Sequence, residues 1–142
     1  MKNIDKRFKD FVSSEPGKYL IREAIFAALI NGKRMSKKDF NEAIDTGIKL
    51  NTFAENSLLM IKANYMGQKF FVSRFERKLK RKKGIMLNEI PETVGLPEDR
   101  CKKIVRKLLE NKIIYSTKKG RKNQYHLVKG KRLCGIGKNS IK

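Results

Sequence analysis

VGLPEDRCKKIVRKLL, residues 94–109, carries two patterns at once. Cys101, Ile104, Val105 and Leu108 fall at i, i+3, i+4 and i+7, which sets them on one stripe of an α-helix. Arg100, Lys102, Lys103, Arg106 and Lys107 fill the remaining positions, with no acid among them until Glu110. Pro97 suits a helix start, where its missing N–H costs little, and Glu98 and Asp99 favour the positive end of the helix dipole. Gly95 permits a sharp turn between this helix and a shorter one before it. Such a helix is either a solvated surface helix or one built to lie in a nucleic-acid groove. Its neighbours decide between them.

Upstream, Ile85-Met86-Leu87 suits a small strand, and Asn88 is expected to cap a short helix with Pro91 in its first turn and Ile90 and Val94 facing inward. Downstream, residues 113–116 (IIYS) read as a strand and 118–123 (KKGRKN) as a turn. Residues 124–128 (QYHLV) return as a second strand, in which Tyr125 and Leu127 alternate with Gln124 and His126. Four basic residues, Lys118, Lys119, Arg121 and Lys122, surround the single Gly120 at the tip.

The rest of the chain reads as mainly helical. Residues 1–17 end in SSEPG and are expected to form an arm or loop, with Phe8, Phe11 and Val12 available to dock on the body. KYLIREAIFAALING has a helical period that stops at Asn31-Gly32. Ser36 is expected to cap a short helix that buries Phe40, Ala43 and Ile44 and ends near Gly47. A third helix runs from about Thr52 to about Tyr65 and is broken by Gly67. QKFFVSRFERKLKRK follows as an amphipathic helix with Phe71, Phe75 and Leu79 four apart, FFV being the one part that could instead be a strand. Its outer face is basic, carrying Arg77, Lys78, Lys80 and Arg81. From Lys129 onward the chain is basic and glycine-containing, the composition of a mobile tail.

Charge bounds the function. The chain carries 35 Lys and Arg against 14 Asp and Glu, a formal net charge of +21. Residues 1–66 hold 12 basic and 8 acidic residues, whereas 67–142 hold 23 and 6. AT-rich coding, which the many Lys, Ile and Asn suggest, would raise lysine in both halves and would not strip acids from only one. The asymmetry is the footprint of a polyanion binder. One histidine, His126, and two distant cysteines, Cys101 and Cys134, leave no metal-ligand set, so neither metal nor cofactor is expected. Cys101 belongs to the buried stripe; Cys134 lies in the basic tail, where it could be reactive but has no neighbouring base. No catalytic constellation and no phosphate-cradling glycine loop is read in the chain, and an enzyme is not expected. The apolar runs are too short to span a bilayer and the first residues have no hydrophobic signal region, so a cytoplasmic or nucleoid-associated protein without membrane contact is expected.

The order of strand, helix, turn, basic helix and basic-tipped hairpin, carried by EIPETVGLPEDRCKKIVRKLLENKII and YSTKKGRKNQYHLV, resembles the winged-helix branch of the helix-turn-helix superfamily. The likeness covers about residues 68–128. It departs from the family pattern in two places. Leu96 or Pro97 stands where Ser or Thr often caps the recognition helix, and Asn111-Lys112 replaces the common Glu-Gly before the wing, Asn being able to supply the left-handed conformation. The expected fold class is therefore α+β, a helical N-terminal region (1–66), a winged helix (67–130) and a basic flexible tail (131–142). Residues 1–66 either hold a diverged helix-turn-helix, with 49–62 as its cognate helix, or serve packing and dimerisation; their partner would be a second copy or a transcription or replication protein.

The resemblance implies binding to double-stranded DNA, with the helix of residues 98–110 in the major groove. Arg100, Lys103 and Arg106 would reach base edges, while Lys102 and Lys107 would meet phosphates. Lys118, Lys119, Arg121 and Lys122 would approach the backbone or minor groove, and Arg77, Lys78 and Arg81 would add sequence-independent affinity. Transcriptional regulation is the expected role. The alternatives are an accessory factor in replication, partition or recombination of a phage or plasmid, and a winged-helix module that binds protein or RNA.

Overall fold

The computed structural model describes residues 2–50 and 55–136, with side chains from 6–45 and 59–135. It is mainly helical, with a small three-stranded antiparallel sheet. The chain opens with α1 (Lys2–Ser13) and α2 (Glu15–Asn31), so the expected N-terminal arm is a helix. Phe8, Phe11 and Val12 lie at helical spacing and are half-buried, and that contact with the body stabilises a segment whose composition alone reads as loop. Ser14 separates the two helices: its Oγ donates to Phe11 O at 2.6 Å and accepts from Gly17 N at 3.2 Å. Gly32, at φ 70°, closes α2.

After a two-residue strand β1 (Lys33–Arg34), Ser36 caps α3 (Lys37–Leu50) by accepting from Asp39 N at 3.0 Å. Phe40, Ala43 and Ile44 are half-buried as expected, but α3 runs past Gly47. The expected start of the next helix at Thr52 lies outside the described residues; α4 spans Glu55–Gly67. Gly67 does not break it. Helix continues through a π-helical turn at Gln68–Val72 into α5 (Ser73–Lys80), which also removes the strand alternative for FFV. A glycine inside a helix costs about 1 kcal/mol, and here closeness to α2 accounts for it: a Cβ at residue 67 would stand 2.9 Å from Ile21 Cγ2.

The remaining elements are β2 (Ile85–Met86), a 3-10 turn (Leu87–Glu89), α6 (Ile90–Val94), α7 (Glu98–Glu110), β3 (Ile114–Lys119), β4 (Lys122–Leu127) and β5 (Gly135–Ile136). The sheet order is β2-β4-β3, with Ile85 opposite Tyr125 and Ile114 opposite Leu127. Asn88 is not the cap expected of it: it lies within the 3-10 turn, and the Glu89 carboxylate accepts from Met86 N at 2.8 Å instead. At the end of α7 the left-handed residue is Lys112, at φ 58°, and not Asn111, at φ −85°. Ile113 N reaches Leu108 O at 2.9 Å and Lys112 N reaches Leu109 O at 3.1 Å, the bond pattern of a Schellman cap.

One core joins α2 to the second half of the chain. Ile25, Ala28 and Leu29 of α2 cluster with Phe75 and Leu79 of α5, Ile90 and Val94 of α6, the α7 stripe, Ile114 and Tyr125. A boundary at residue 66 therefore falls inside a continuous helical run and across a shared core. The tail expected to be flexible from residue 131 is docked as far as it is described. Leu133 is fully buried, its N–H donates to Glu76 Oε1 at 3.0 Å, and Cys134 Sγ donates to Ala28 O at 3.2 Å. Gly135 and Ile136 pair in parallel with Lys33 and Arg34. Basic composition hid this segment because its anchors are only two adjacent side chains, Leu133 and Cys134, and a few hydrogen bonds.

Two substitutions check these features by thermal or urea denaturation. Lys112→Gly removes a left-handed penalty of roughly 1–2 kcal/mol against a smaller glycine entropy cost, so a gain of about 0.5–1 kcal/mol is expected. Leu133→Ala is expected to cost about 2–5 kcal/mol, as a buried leucine does; a free tail would show no change.

Candidate nucleic-acid interface

α7 starts without a side-chain cap. Pro97 is extended at φ −63° and ψ 158°, and its carbonyl accepts from Cys101 N at 3.1 Å. Leu96 is buried in the core, which is the physical reason a capping hydroxyl is missing there: the position is used to plug the junction between α6 and α7. Gly95, at φ 71°, makes the turn, donating to Pro91 O at 2.7 Å.

Cys101, Ile104, Val105 and Leu108 are buried as their spacing requires, and Lys102, Lys103, Arg106 and Lys107 are exposed. Opposite the buried stripe, the helical period aligns Asp99, Lys103, Arg106 and Glu110 into the outermost row. The basic face is thus flanked by an acid at each end. Lys102 makes an exposed i,i+4 ion pair with Glu98 at 3.6 Å, worth about 0.3–0.5 kcal/mol and readily exchanged for another anion.

Arg100 is placed differently from its neighbours. It is half-buried, its guanidinium lies 4.5 Å from the centroid of the Phe26 ring, and it pairs with the Glu23 carboxylate. Both partners belong to α2. Arg100 holds α7 against α2 and is not turned outward as its position on the helix face alone would suggest.

The hairpin reaches further than its turn residues suggest. β3 and β4 pair out to Lys119 opposite Lys122, leaving only Gly120 and Arg121 in the loop, with Gly120 at φ 66°. Lys118, Lys119, Arg121 and Lys122 are all exposed. Met86, Leu87, Pro91, Glu98, Lys122 and Asn123 line one open cleft of about 440 Å³. The first turn of α7 and the tip end of the hairpin therefore share one side of the molecule.

The α5 residues divide. Arg77 and Lys80 are exposed, but Lys78 Nζ donates to the buried Thr93 Oγ1 at 3.0 Å, and Thr93 in turn donates to Glu89 O at 2.8 Å. Arg81 donates to Gly84 O at 3.0 Å and lies 3.9 Å from Glu89. Lys78 and Arg81 thus brace the corner between α5, β2 and α6. Arg77 borders Met66, Lys69 and Phe70, away from the cleft shared by α7 and the hairpin. Lys80 and Arg81 border a separate cleft at the hairpin base with Tyr115, Lys82, Lys131 and Arg132, none of which the sequence pattern singles out. Alternation carries a signal for Tyr115: it follows the buried Ile114 in a strand and must therefore face away from the core.

Neither cysteine is poised for chemistry. Burial, reinforced by Asp99 and Glu98, pushes the Cys101 thiol up to about 11, and burial pushes Cys134 up to about 12. Both remain protonated thiols at neutral pH, and the reactivity expected of Cys134 in a free tail is removed by its docking. Among the described residues no group of three His, Cys, Asp or Glu side chains is placed to hold a metal ion, and no helix is long and apolar enough to cross a membrane. Comparison with protein-family models, curated proteins and solved structures returns no match.

Arg100→Ala is expected to cost about 1 kcal/mol of stability, combining an exposed-side cation–π interaction with a partly exposed ion pair. A denaturation double-mutant cycle with Glu23→Ala should return a favourable coupling; a coupling of zero removes the clamp.

Proposed function

We propose that this chain is a winged-helix protein that binds double-stranded DNA, with α7 in the major groove and the β3–β4 hairpin on the adjacent backbone or minor groove. The single observation that carries the reading is the shared side. Glu98 in the first turn of α7 and Lys122 beside the hairpin tip border one cleft, which brings the helix carrying Lys103 and Arg106 next to the tip carrying Lys119, Arg121 and Lys122. The order α5, β2, α6, α7, β3, β4, with β4 between β2 and β3, agrees with the resemblance drawn from sequence.

Roles follow from placement. Lys103 and Arg106, on the outermost row, read base edges, where Arg pairs bidentately with guanine. Asp99 on the same row is a candidate acceptor for a cytosine amino group. Lys102 and Lys107 flank that row and meet phosphates, as do the tip residues. Arg100, Lys78 and Arg81 act indirectly, by fixing the position of α7 and the corner beneath it. Regulation of transcription is the role proposed for such a reader, and occupancy mapped across a genome is its test.

Titrating a labelled duplex against salt tests the binding itself. Several phosphate contacts require the logarithm of affinity to fall steeply with the logarithm of salt, by about 0.9 per contact. A flat dependence sinks the proposal. Lys103→Ala with Arg106→Ala should erase discrimination between sequences, at about 1–3 kcal/mol for each base edge no longer read. Arg121→Ala with Lys122→Ala should weaken all duplexes alike and reduce the salt slope.

A further inference from the structure

The base of the hairpin carries a second cationic surface, distinct from the tip. Ile114 and Tyr125 face the core, so Tyr115 and His126, each one residue along, face the other way and pair across the strands. Their rings stack with centroids 5.1 Å apart and planes 17° from parallel. The His126 ring is fixed from two sides. Its Nε2 lies 2.9 Å from Thr117 Oγ1, and it rests against Gly84, where an added Cβ would come within 2.8 Å of the ring and 2.3 Å of Tyr125 O. Gly84 is therefore required for this ring to sit flat. Tyr115, 48% exposed, covers His126 and leaves aromatic surface open to solvent.

This pair lines a cleft of about 620 Å³ together with the end of α5 and residues 127–132. Six of the lining residues are cationic, Lys80, Arg81, Lys82, Lys129, Lys131 and Arg132, and none is acidic. All but Arg81 are exposed. The chain collects these charges from two distant segments, and they are held close because β4 and the docked Leu133 return the chain to α5.

We infer that this cleft binds single-stranded nucleic acid, an unpaired base stacking on Tyr115 while the flanking phosphates meet the lysines and Arg132. A rigid aromatic ring beside an acid-free basic groove is the combination that tracks a single strand, the ring supplying base stacking and the groove holding the backbone. A duplex conceals its base faces and would use the charge without the ring. An acidic peptide would do the same. The inference is independent of the duplex reading, because its residues lie at the other end of the hairpin from Lys119 and Arg121.

Fluorescence anisotropy with labelled oligo(dT) and oligo(rU) of roughly twelve nucleotides, within the span of one such groove, tests it beside a duplex of the same length. Tyr115→Ala is expected to weaken binding to at least one of the strands by about 5- to 100-fold, the range for removing one stacked base. Tyr115→Phe should retain affinity within about twofold, since phenylalanine keeps the stacking ring. Lys129→Glu with Lys131→Glu, both exposed side chains, should weaken strand binding to a similar degree with the denaturation midpoint unchanged. Duplex affinity should be insensitive to Tyr115→Ala, and the Lys103→Ala, Arg106→Ala pair should show the reverse selectivity. Tyr115-dependent strand binding with no duplex binding supports this inference while removing the duplex reading. The inference is overturned if neither strand binds, if Tyr115→Ala binds both strands like wild type, if it weakens duplex equally, or if a polyglutamate peptide competes as well as the strands.

Discussion

The packing of α2 against the back of α7 is the constraint on which the rest depends. α7 has one apolar stripe and must bury it; Ile25, Ala28 and Leu29 of α2 share its core cluster, together with Ile90 and Val94 of α6 and Ile114 of β3. Arg100 adds direction to that burial, because a guanidinium held between the Phe26 ring and the Glu23 carboxylate limits rotation of the helix about its axis. With rotation fixed, the row containing Lys103 and Arg106 must face solvent. The buried stripe sets which side of α7 faces solvent, and the clamp on its flank reinforces that setting.

A second consequence is that charge on this protein is divided between work inside the fold and display outside it. Lys78, Arg81, Arg100, Glu76 and Glu89 are each engaged with a named group, a hydroxyl, a carbonyl, a ring, a backbone N–H or an opposite charge. Hydrogen bonding to such partners offsets the cost of drawing an ion out of water. Among the cations that remain outward in the second half of the chain are Lys102, Lys103, Arg106 and Lys107 on α7, the four at the hairpin tip, and the exposed ones of the cleft at the hairpin base. Two separate basic surfaces result, set at opposite ends of one hairpin.

Much of this was legible in the chain. Period identified α2, α5 and α7 and the inward positions of α7, and alternation identified β4. The turn at Gly95 and the exposed tip around Gly120 followed from residue type. Four features did not. α1 lacks the signals of a helix because its stability comes from docking its Phe8, Phe11 and Val12 face, and Gly67 reads as a stop unless the closeness of Ile21 is known. The segment around Leu133 reads as tail because only Leu133 and Cys134 anchor it, too few apolar residues to show a period. At the site, the period sets Arg100 on the flank of α7 and not on the row of Lys103 and Arg106, but its engagement is not legible, since its partners lie on a helix distant in the chain, Glu23 being 77 residues away.

The sequence by itself determined which residues of each element face inward, since periodicity and the hydrophobic effect act locally along a helix or strand. It also determined that the chain is a strong polycation whose excess lies in its second half. Only the tertiary structure decided which cations are engaged within the fold and which are presented, because an ion pair or a ring contact forms between segments that sequence distance keeps apart. It likewise assembled the hairpin-base cleft, whose charges come from the end of α5 and from residues 129–132 and meet beside Tyr115 only after the chain has folded back through β4.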